Sequence, residues 1–241
     1  MSAYLDNAAT TRVCPEAAQA ALKVMTEIYG NPSSTYALGR KARSVLDTSR
    51  AVIAGALGCS PSELYFTSCG SESDNWAVIC SAEAQKRIGR HVITSAVEHD
   101  AVRKSFDRLE SLGWEVTRLA PESDGSISVR AVTEALRADT ALVSLMLVNN
   151  ETGAVTDIAA IAKELKKRGS KALLHTDAVQ GFMKVPFKAK SLGADMISIS
   201  GHKIHAPKGI GALYIRKGLR LPPFIVGGSQ EGGMRAGTEA M

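Results

Sequence analysis

The sequence predicts an α/β fold: three layers, with a mostly parallel sheet in the middle. Short apolar stretches alternate along the chain with longer segments of helical periodicity. Several short stretches are almost continuously apolar, as in Ala-Leu-Val-Ser-Leu-Met-Leu at 141–147, the pattern of strands buried on both faces. Clusters of polar residues follow these stretches, at the carboxyl ends of strands where such sheets bind their ligands.

In chain order, the strands are expected at Leu64–Thr67, His91–Ser95, Glu115–Leu119, 141–147, 172–175, Met196–Ser200 and Gly211–Ile215, with helices between them. The clearest helix covers 157–168. Ile158, Ile161, Ala162 and Leu165 fall on one face at i, i+3, i+4 and i+7, and Asp157 stands before them as an N-cap. From Pro222-Pro223 to Met241 the sequence reads as irregular, and no internal repeat is visible.

Bulk properties exclude several classes. At 241 residues the chain suits one large domain or two small ones, and its 45% hydrophobic content is enough for a core without staples. No apolar run approaches the roughly 18 residues of a membrane span. Met1-Ser2-Ala3-Tyr4-Leu5-Asp6 is not a basic-then-apolar leader, so a cytoplasmic protein is expected. The net charge of +5 raises the question of a nucleic-acid partner. Lys and Arg are nevertheless dispersed among acids, and aromatics make up only 5%, so none is expected. Cys14, Cys59, Cys69 and Cys80 form no C-x-x-C pair and have no histidine at ligand spacing. Neither a metal site nor a disulfide framework is expected.

Five strand-end clusters carry the chemistry. Ser200-Gly201-His202-Lys203 follows an apolar strand. A lone lysine there usually sends its ammonium to solvent, but Lys203 lies between His202 and His205, a basic and partly desolvated setting that lowers an amine's pKa and suits Schiff-base chemistry. Asp177, in His-Thr-Asp-Ala-Val-Gln after the stretch at 172–174, would by itself be an ordinary N-cap. A carboxylate and a lysine on successive strand ends together suit a pyridine-ring cofactor, one holding the ring nitrogen and the other the aldehyde carbon. Thr-Ser-Cys-Gly-Ser-Glu at 67–72 opens a helix near Ser71. Its free N–H groups and hydroxyls form a site for one phosphate, not a triphosphate loop, since no Gly-Lys-Ser/Thr follows. Glu98-His99 and Asn149-Asn150-Glu151 complete the set, His99 suited to stacking on a ring or moving protons.

With these residues in order, the chain resembles the cysteine desulfurases, in the class V aminotransferase group of fold-type I pyridoxal-phosphate enzymes. The resemblance also includes Asp6-Asn7-Ala8-Ala9-Thr10-Thr11, Gly30-Asn31-Pro32-Ser33-Ser34 and Arg235-Ala236-Gly237-Thr238. It implies the large domain of a fold-type I transferase, with pyridoxal 5'-phosphate as cofactor and L-cysteine as substrate. Lys203 then carries the cofactor and serves as the base. Asp177 pairs with the ring nitrogen, Gln180 with the phenolic oxygen, and His99 stacks on the ring. Asn150 lies on the substrate side. Gly70, Ser71, Ser200 and His202 hold the phosphate, and Thr238 reaches the phosphate of a neighbouring subunit in a homodimer. Sulfur is passed to an enzyme persulfide and on to an acceptor or iron–sulfur scaffold protein, and alanine is released. Ser71 replaces the family's usual Thr, Cys69 a usual Gly and Tyr36 a common His.

The resemblance also divides the chain. Residues 1–14 form a segment that packs with a C-terminal small domain, and residues 15–241 the cofactor-binding large domain. The family's persulfide cysteine and its carboxylate-clamping arginine lie past the Arg-Ala-Gly-Thr motif. Because the sequence stops at Met241, a chain without that small domain, inactive alone, is expected. Cys69 is tied to the phosphate loop and is not expected to replace the missing thiol. A selenocysteine lyase or other class V lyase is an alternative, and a non-catalytic remnant that dimerises or binds an acceptor is another.

Overall fold

A computed structural model describes residues 3–240; Met1, Ser2 and Met241, and with them the outer limits of the two expected segments and part of the leader reading, lie outside the described residues. Among the described residues seven strands form one sheet: β1 (Leu64–Thr67), β2 (His91–Ser95), β3 (Glu115–Leu119), β4 (Thr140–Ser144), β5 (Leu173–Asp177), β6 (Met196–Ser200) and β7 (Gly211–Ile215). Their spatial order is β1-β7-β6-β5-β4-β2-β3. Only β7 opposes its neighbours, so the carboxyl ends of the other six lie along one edge.

Helices cover both faces. On one lie α2 (Ala37–Leu57), α5 (Val129–Ala135), α6 (Ile158–Lys167) and α7 (Ala189–Leu192), whose Leu46, Leu57, Val132, Ile161 and Leu192 pack on Ile93, Val143 and Ile197 of the sheet. On the other lie α3 (Gly70–Gln85) and α4 (Asp100–Ser111), packing Trp76, Val102 and Phe106 on Val92, Leu142 and Leu213. Alternate residues of one strand thus serve opposite cores, as the period of two requires. The expected three layers are present.

Local chemistry explains the ends of several helices. Asp157 caps α6 through Oδ1, which accepts the Ala160 amide at 2.9 Å. Gly58, at φ 75°, ends α2 in the left-handed conformation that a side chain would resist. Helix α3 is buried nearly all round, because it crosses the sheet and touches β1, β4, β5, β6 and β7. By contrast α1 (Pro15–Glu27) buries none of its residues and leaves Leu22 and Met25 exposed.

Two strand boundaries differ from expectation. β4 ends at Ser144, not 147. Leu145–Leu147 stays buried and bonds β5 through the amides of Leu145 to the His175 oxygen (3.2 Å) and of Leu147 to the Asp177 oxygen (2.9 Å), outside a regular ladder. β5 runs from Leu173 to Asp177, not 172–175, because His175 and Asp177 pair with Met196 and Ser198 of β6. Asp177 is therefore the strand's last residue and is fixed by the sheet. The tail past Pro222 is irregular except for a short 3₁₀ turn at Gln230–Gly233.

Candidate active site

The polar strand ends meet in one cavity of about 510 Å³ at the carboxyl edge of the sheet, a volume typical of a cofactor or small-ligand site. Gly70, Ser71, His99, Asn150, Asp177, Gln180, Ser200, His202 and Lys203 all line it. Thr238 does not: it stands with Ser68 and Arg235 around a separate cavity of about 110 Å³.

Each wall has a local cause. α3 begins at Gly70, one residue earlier than expected, and its N-cap Cys69 makes no side-chain cap bond. The first amides of α3 therefore keep their hydrogens for an anion. Backbone is the only group that fits here: a Cβ on Gly70 would come within 2.8 Å of Val179 Cγ2 and 3.4 Å of Ser200 Cβ. Ser200 is 3% exposed, and its buried Oγ has no hydrogen-bond partner among the described residues. A buried hydroxyl without a partner beside an uncapped helix start is chemistry that a phosphate would complete. Glu72 steadies this loop by accepting from the Ser68 amide (2.8 Å) and Ser68 Oγ (2.6 Å). It also pairs with Arg235 Nε at 2.8 Å. Burial opposes the charge of Glu72, yet the Arg235 and Ser68 donors hold its carboxyl below the usual range.

Asp177, 5% exposed, accepts the Val179 amide at 2.8 Å. Burial pushes its carboxyl up, while that amide and the neighbouring His99 and Lys203 pull it back. A cationic ring nitrogen is the partner such a carboxylate lacks. Gln180 has a fixed amide orientation, with Oε1 accepting from Lys184 Nζ at 2.8 Å and Nε2 donating to the Ala8 oxygen at 2.8 Å. Its donor end is thus the one turned toward the cavity side. His99 caps α4 through Nδ1, which accepts the Ala101 amide at 3.2 Å, so the ring's proton lies on Nε2. In the β4–α6 loop Asn149 holds the turn, accepting the amides of Glu151 (3.0 Å) and Thr152 (2.9 Å) and donating to the Val97 oxygen (2.9 Å). This leaves Asn150 at the cavity.

Lys203 ends the 3₁₀ turn Gly201–Lys203 directly after β6. Its Nζ donates to the carbonyl oxygens of Ala8 and Ala9, the latter at 2.7 Å. Burial, then the nearby Lys184 charge, lowers its pKa, with Asp177 and Asp6 opposing. The N-terminal segment is stitched to this turn: the Thr11 amide and Oγ1 both donate to the His202 oxygen at 2.9 Å, and the His205 amide donates to Thr11 Oγ1 at 2.7 Å. His202 Nδ1 lies 3.1 Å from Thr10 Oγ1, and burial followed by the lysine charges lowers its pKa.

Sequence reasoning missed several contributors. Ala8 and Ala9 act through backbone oxygens, which no side-chain pattern reveals. Lys184 orients Gln180 from four residues on. Asp74 lines the cavity one turn after Gly70; the i, i+4 spacing on a helix starting at the phosphate loop was the available signal. The donor set therefore fits pyridoxal phosphate: an amine, a buried carboxylate, a fixed amide donor and an anion cradle.

Known proteins with the same sequence pattern point the same way. A cysteine desulfurase of a Nostoc species is 48% identical over 98% of this chain, and the cysteine desulfurase IscS of Methanosarcina thermophila is 45% identical over the same share. The chain spans 58% of the length of each. Among solved structures, a NifS-like protein superposes with a TM-score of 0.96 at 39% identity, covering 99% of this chain and 66% of that one. SspA in complex with cysteine superposes with a TM-score of 0.94, also at 39% identity, covering 99% of this chain and 69% of that one. The profile of the class-V aminotransferases matches residues 3–238, and the chain belongs to that family.

Proposed function

We propose that this chain is the cofactor-binding large domain of a pyridoxal-phosphate-dependent cysteine desulfurase. The supporting observation is the meeting, in one cavity, of the Lys203 amine, the buried Asp177 carboxylate and the uncapped start of α3 beside an unpartnered Ser200 hydroxyl. Relatives named cysteine desulfurases and a structural neighbour complexed with cysteine support L-cysteine as substrate.

Pyridoxal phosphate, when bound, supplies an electron sink for negative charge at the substrate's Cα. The chain's residues supply the rest. Lys203 holds the cofactor by its amine and, when free, takes the proton from Cα; its lowered pKa raises the share of neutral amine. Asp177 keeps the ring nitrogen protonated. Gln180 donates to the phenolic oxygen, and His99 covers the ring and moves protons through Nε2. The α3 amides of Gly70 and Ser71, with the side chains of Ser71, Ser200 and His202, bind the phosphate. Asn150 faces the substrate.

Residues 1–14 are proposed to pack with a small domain, and residues 15–241 to form the large one. A homodimer is proposed as well. Thr238 is separated from its own chain's cavity and would serve the partner's, on the ion-paired Arg235 segment. Transfer of sulfur to an acceptor or iron–sulfur scaffold protein completes the proposal. Four free thiols suit a reducing compartment such as the cytoplasm; among the described residues no helix is long and apolar enough to cross a membrane.

The test is direct. With added pyridoxal phosphate the protein should turn yellow and keep the label after borohydride reduction, with Lys203 modified. Lys203→Ala should stay colourless. A folded parent protein that remains colourless overturns the assignment.

A further inference from the structure

Four acids line the cavity, Asp6, Asp74, Glu151 and Asp177; Asp6 and Glu151 are exposed, and of the two buried ones the proposed chemistry uses only Asp177. Asp74, on α3, is 1% exposed, and its Oδ1 has no hydrogen-bond partner among the described residues. The nearest basic group is His175 of β5, whose Nε2 lies 3.7 Å from that oxygen. His175 cannot neutralise it. Its ring is committed at both ends, Nδ1 to Ser144 Oγ at 2.8 Å and Nε2 to Ser198 Oγ at 3.0 Å, and burial drops its pKa to about 3.

The other titratable groups facing Asp74 make matters worse for a negative charge. They are Asp177 at the end of β5, Glu98 in the β2–α4 loop and the Cys69 thiol at the N-cap of α3. Burial is the largest influence and the Asp177 charge the next; the Ser198 hydroxyl of β6 opposes them, and Glu98, itself pushed up to about 8, adds to them only where it ionises. Asp177 differs in kind, since His99 and Lys203 both favour its ionised form and the Val179 amide donates to it. Two carboxyls in one desolvated site do not both ionise, and the proton goes to the one without a cation.

We infer that Asp74 is a neutral carboxylic acid at neutral pH, and that it is a positioning residue: by carrying the proton of the pair it leaves the negative charge on Asp177, where the cofactor's ring nitrogen would be held. The second half rests on the cofactor proposal; the charge state does not.

Infrared difference spectroscopy on the cofactor-free chain tests it. At neutral pH, Asp74→Asn minus parent should show loss of a protonated-carboxyl C=O band. Adding Asp177→Asn to the Asp74→Asn protein should remove an ionised-carboxylate band instead. In Asp177→Asn alone, the Asp74 band should titrate at lower pH than in the parent, a shift that a purely structural acid would not give. Loss of a carboxylate band in Asp74→Asn, or an Asp74 midpoint unmoved by Asp177→Asn, overturns the inference. Should Asp74→Asn not fold, carbon-13 spectra of the aspartate-labelled parent decide it: an aspartyl carboxyl still protonated at neutral pH supports the inference, and none overturns it. Because no cofactor is present, these results stand apart from whether pyridoxal phosphate binds.

Discussion

In the proposed site, Asp177 and Gly70 are single residues that would set what the cavity recognises. Asp177 is fixed by the last rung of β5 and by the Val179 amide, so its carboxylate meets a ligand without reorganising. Removing one partner of a buried charge pair costs roughly 3–5 kcal/mol. Asp177→Asn should therefore weaken pyridoxal-phosphate binding steeply, read as Kd in a spectral titration, with little change in the melting temperature of the cofactor-free protein. An unchanged Kd removes Asp177 from that role. Gly70 acts through what it lacks, since a Cβ there would press on Val179 Cγ2 at 2.8 Å. Overpacking of this kind costs about 1–3 kcal/mol, and here it would fall on the anion cradle. Gly70→Ala should weaken pyridoxal phosphate about tenfold or more while changing affinity for pyridoxal, which has no phosphate, far less. Equal losses for the two ligands would show that the cradle lies elsewhere.

At the scale of elements, the β2–α4 junction carries a pH-dependent strain. Glu98 Oε1 accepts from Ser95 Oγ at 2.5 Å and from the Met146 amide at 3.1 Å, tying β2's end to the loop after β4, while its Oε2 is buried without a partner. Burial pushes this carboxyl from 4.5 up to about 8. A raised folded-state pKa means stability that is full at low pH and is lost as pH climbs from about 4.5 to about 8. Glu98→Gln keeps the acceptor and cannot ionise. Relative to the parent it should gain stability across that window, by on the order of a few kcal/mol above it, measured by denaturant melts at several pH values. A parent–variant difference that does not change with pH would mean that Glu98 titrates normally.

The same elements show what the sequence makes legible. Strands β1, β2, β3, β6 and β7 have the bounds the sequence predicts, and turn residues or polar clusters flank the apolar runs of β1, β2, β6 and β7. β4 was overextended because Leu145–Leu147 is buried and apolar without being in the ladder, and burial is all that periodicity reports. Lys203 and Asp177 were legible as strand-end charges. Asp74 is not legible in this way, because an acid inside Ser-Glu-Ser-Asp-Asn has the pattern of a solvated helix start, whereas α3 is buried against the sheet.

At the scale of the molecule, the proposed reaction divides into two separable tasks, binding the cofactor and releasing sulfur. The first would use Lys203, Asp177, His99 and the start of α3, all gathered at one edge of the sheet. The second also needs a thiol that reaches the substrate sulfur and a cation that fixes the substrate carboxylate. The chain's thiols are poorly disposed for it. Cys59 and Cys80 are pushed up to about 11 by burial, so both stay protonated at neutral pH. Cys14 precedes α1, whose residues are all solvent-accessible, and Cys69 is held in the loop that starts α3. Positioning of reacting groups is worth roughly 7–11 kcal/mol, and a thiol pinned in the phosphate loop does not provide it. The 241-residue chain on its own should therefore bind pyridoxal phosphate and shift its absorbance with L-cysteine, yet form alanine only at background rate when a reductant is supplied. Alanine per cofactor, followed over time, is the measurement. Multiple turnovers abolished by Cys69→Ser would show that the phosphate loop itself delivers the nucleophile. Turnovers unaffected by that change, but lost in Cys14→Ser, would move the reacting thiol to the N-terminal segment that crosses Lys203.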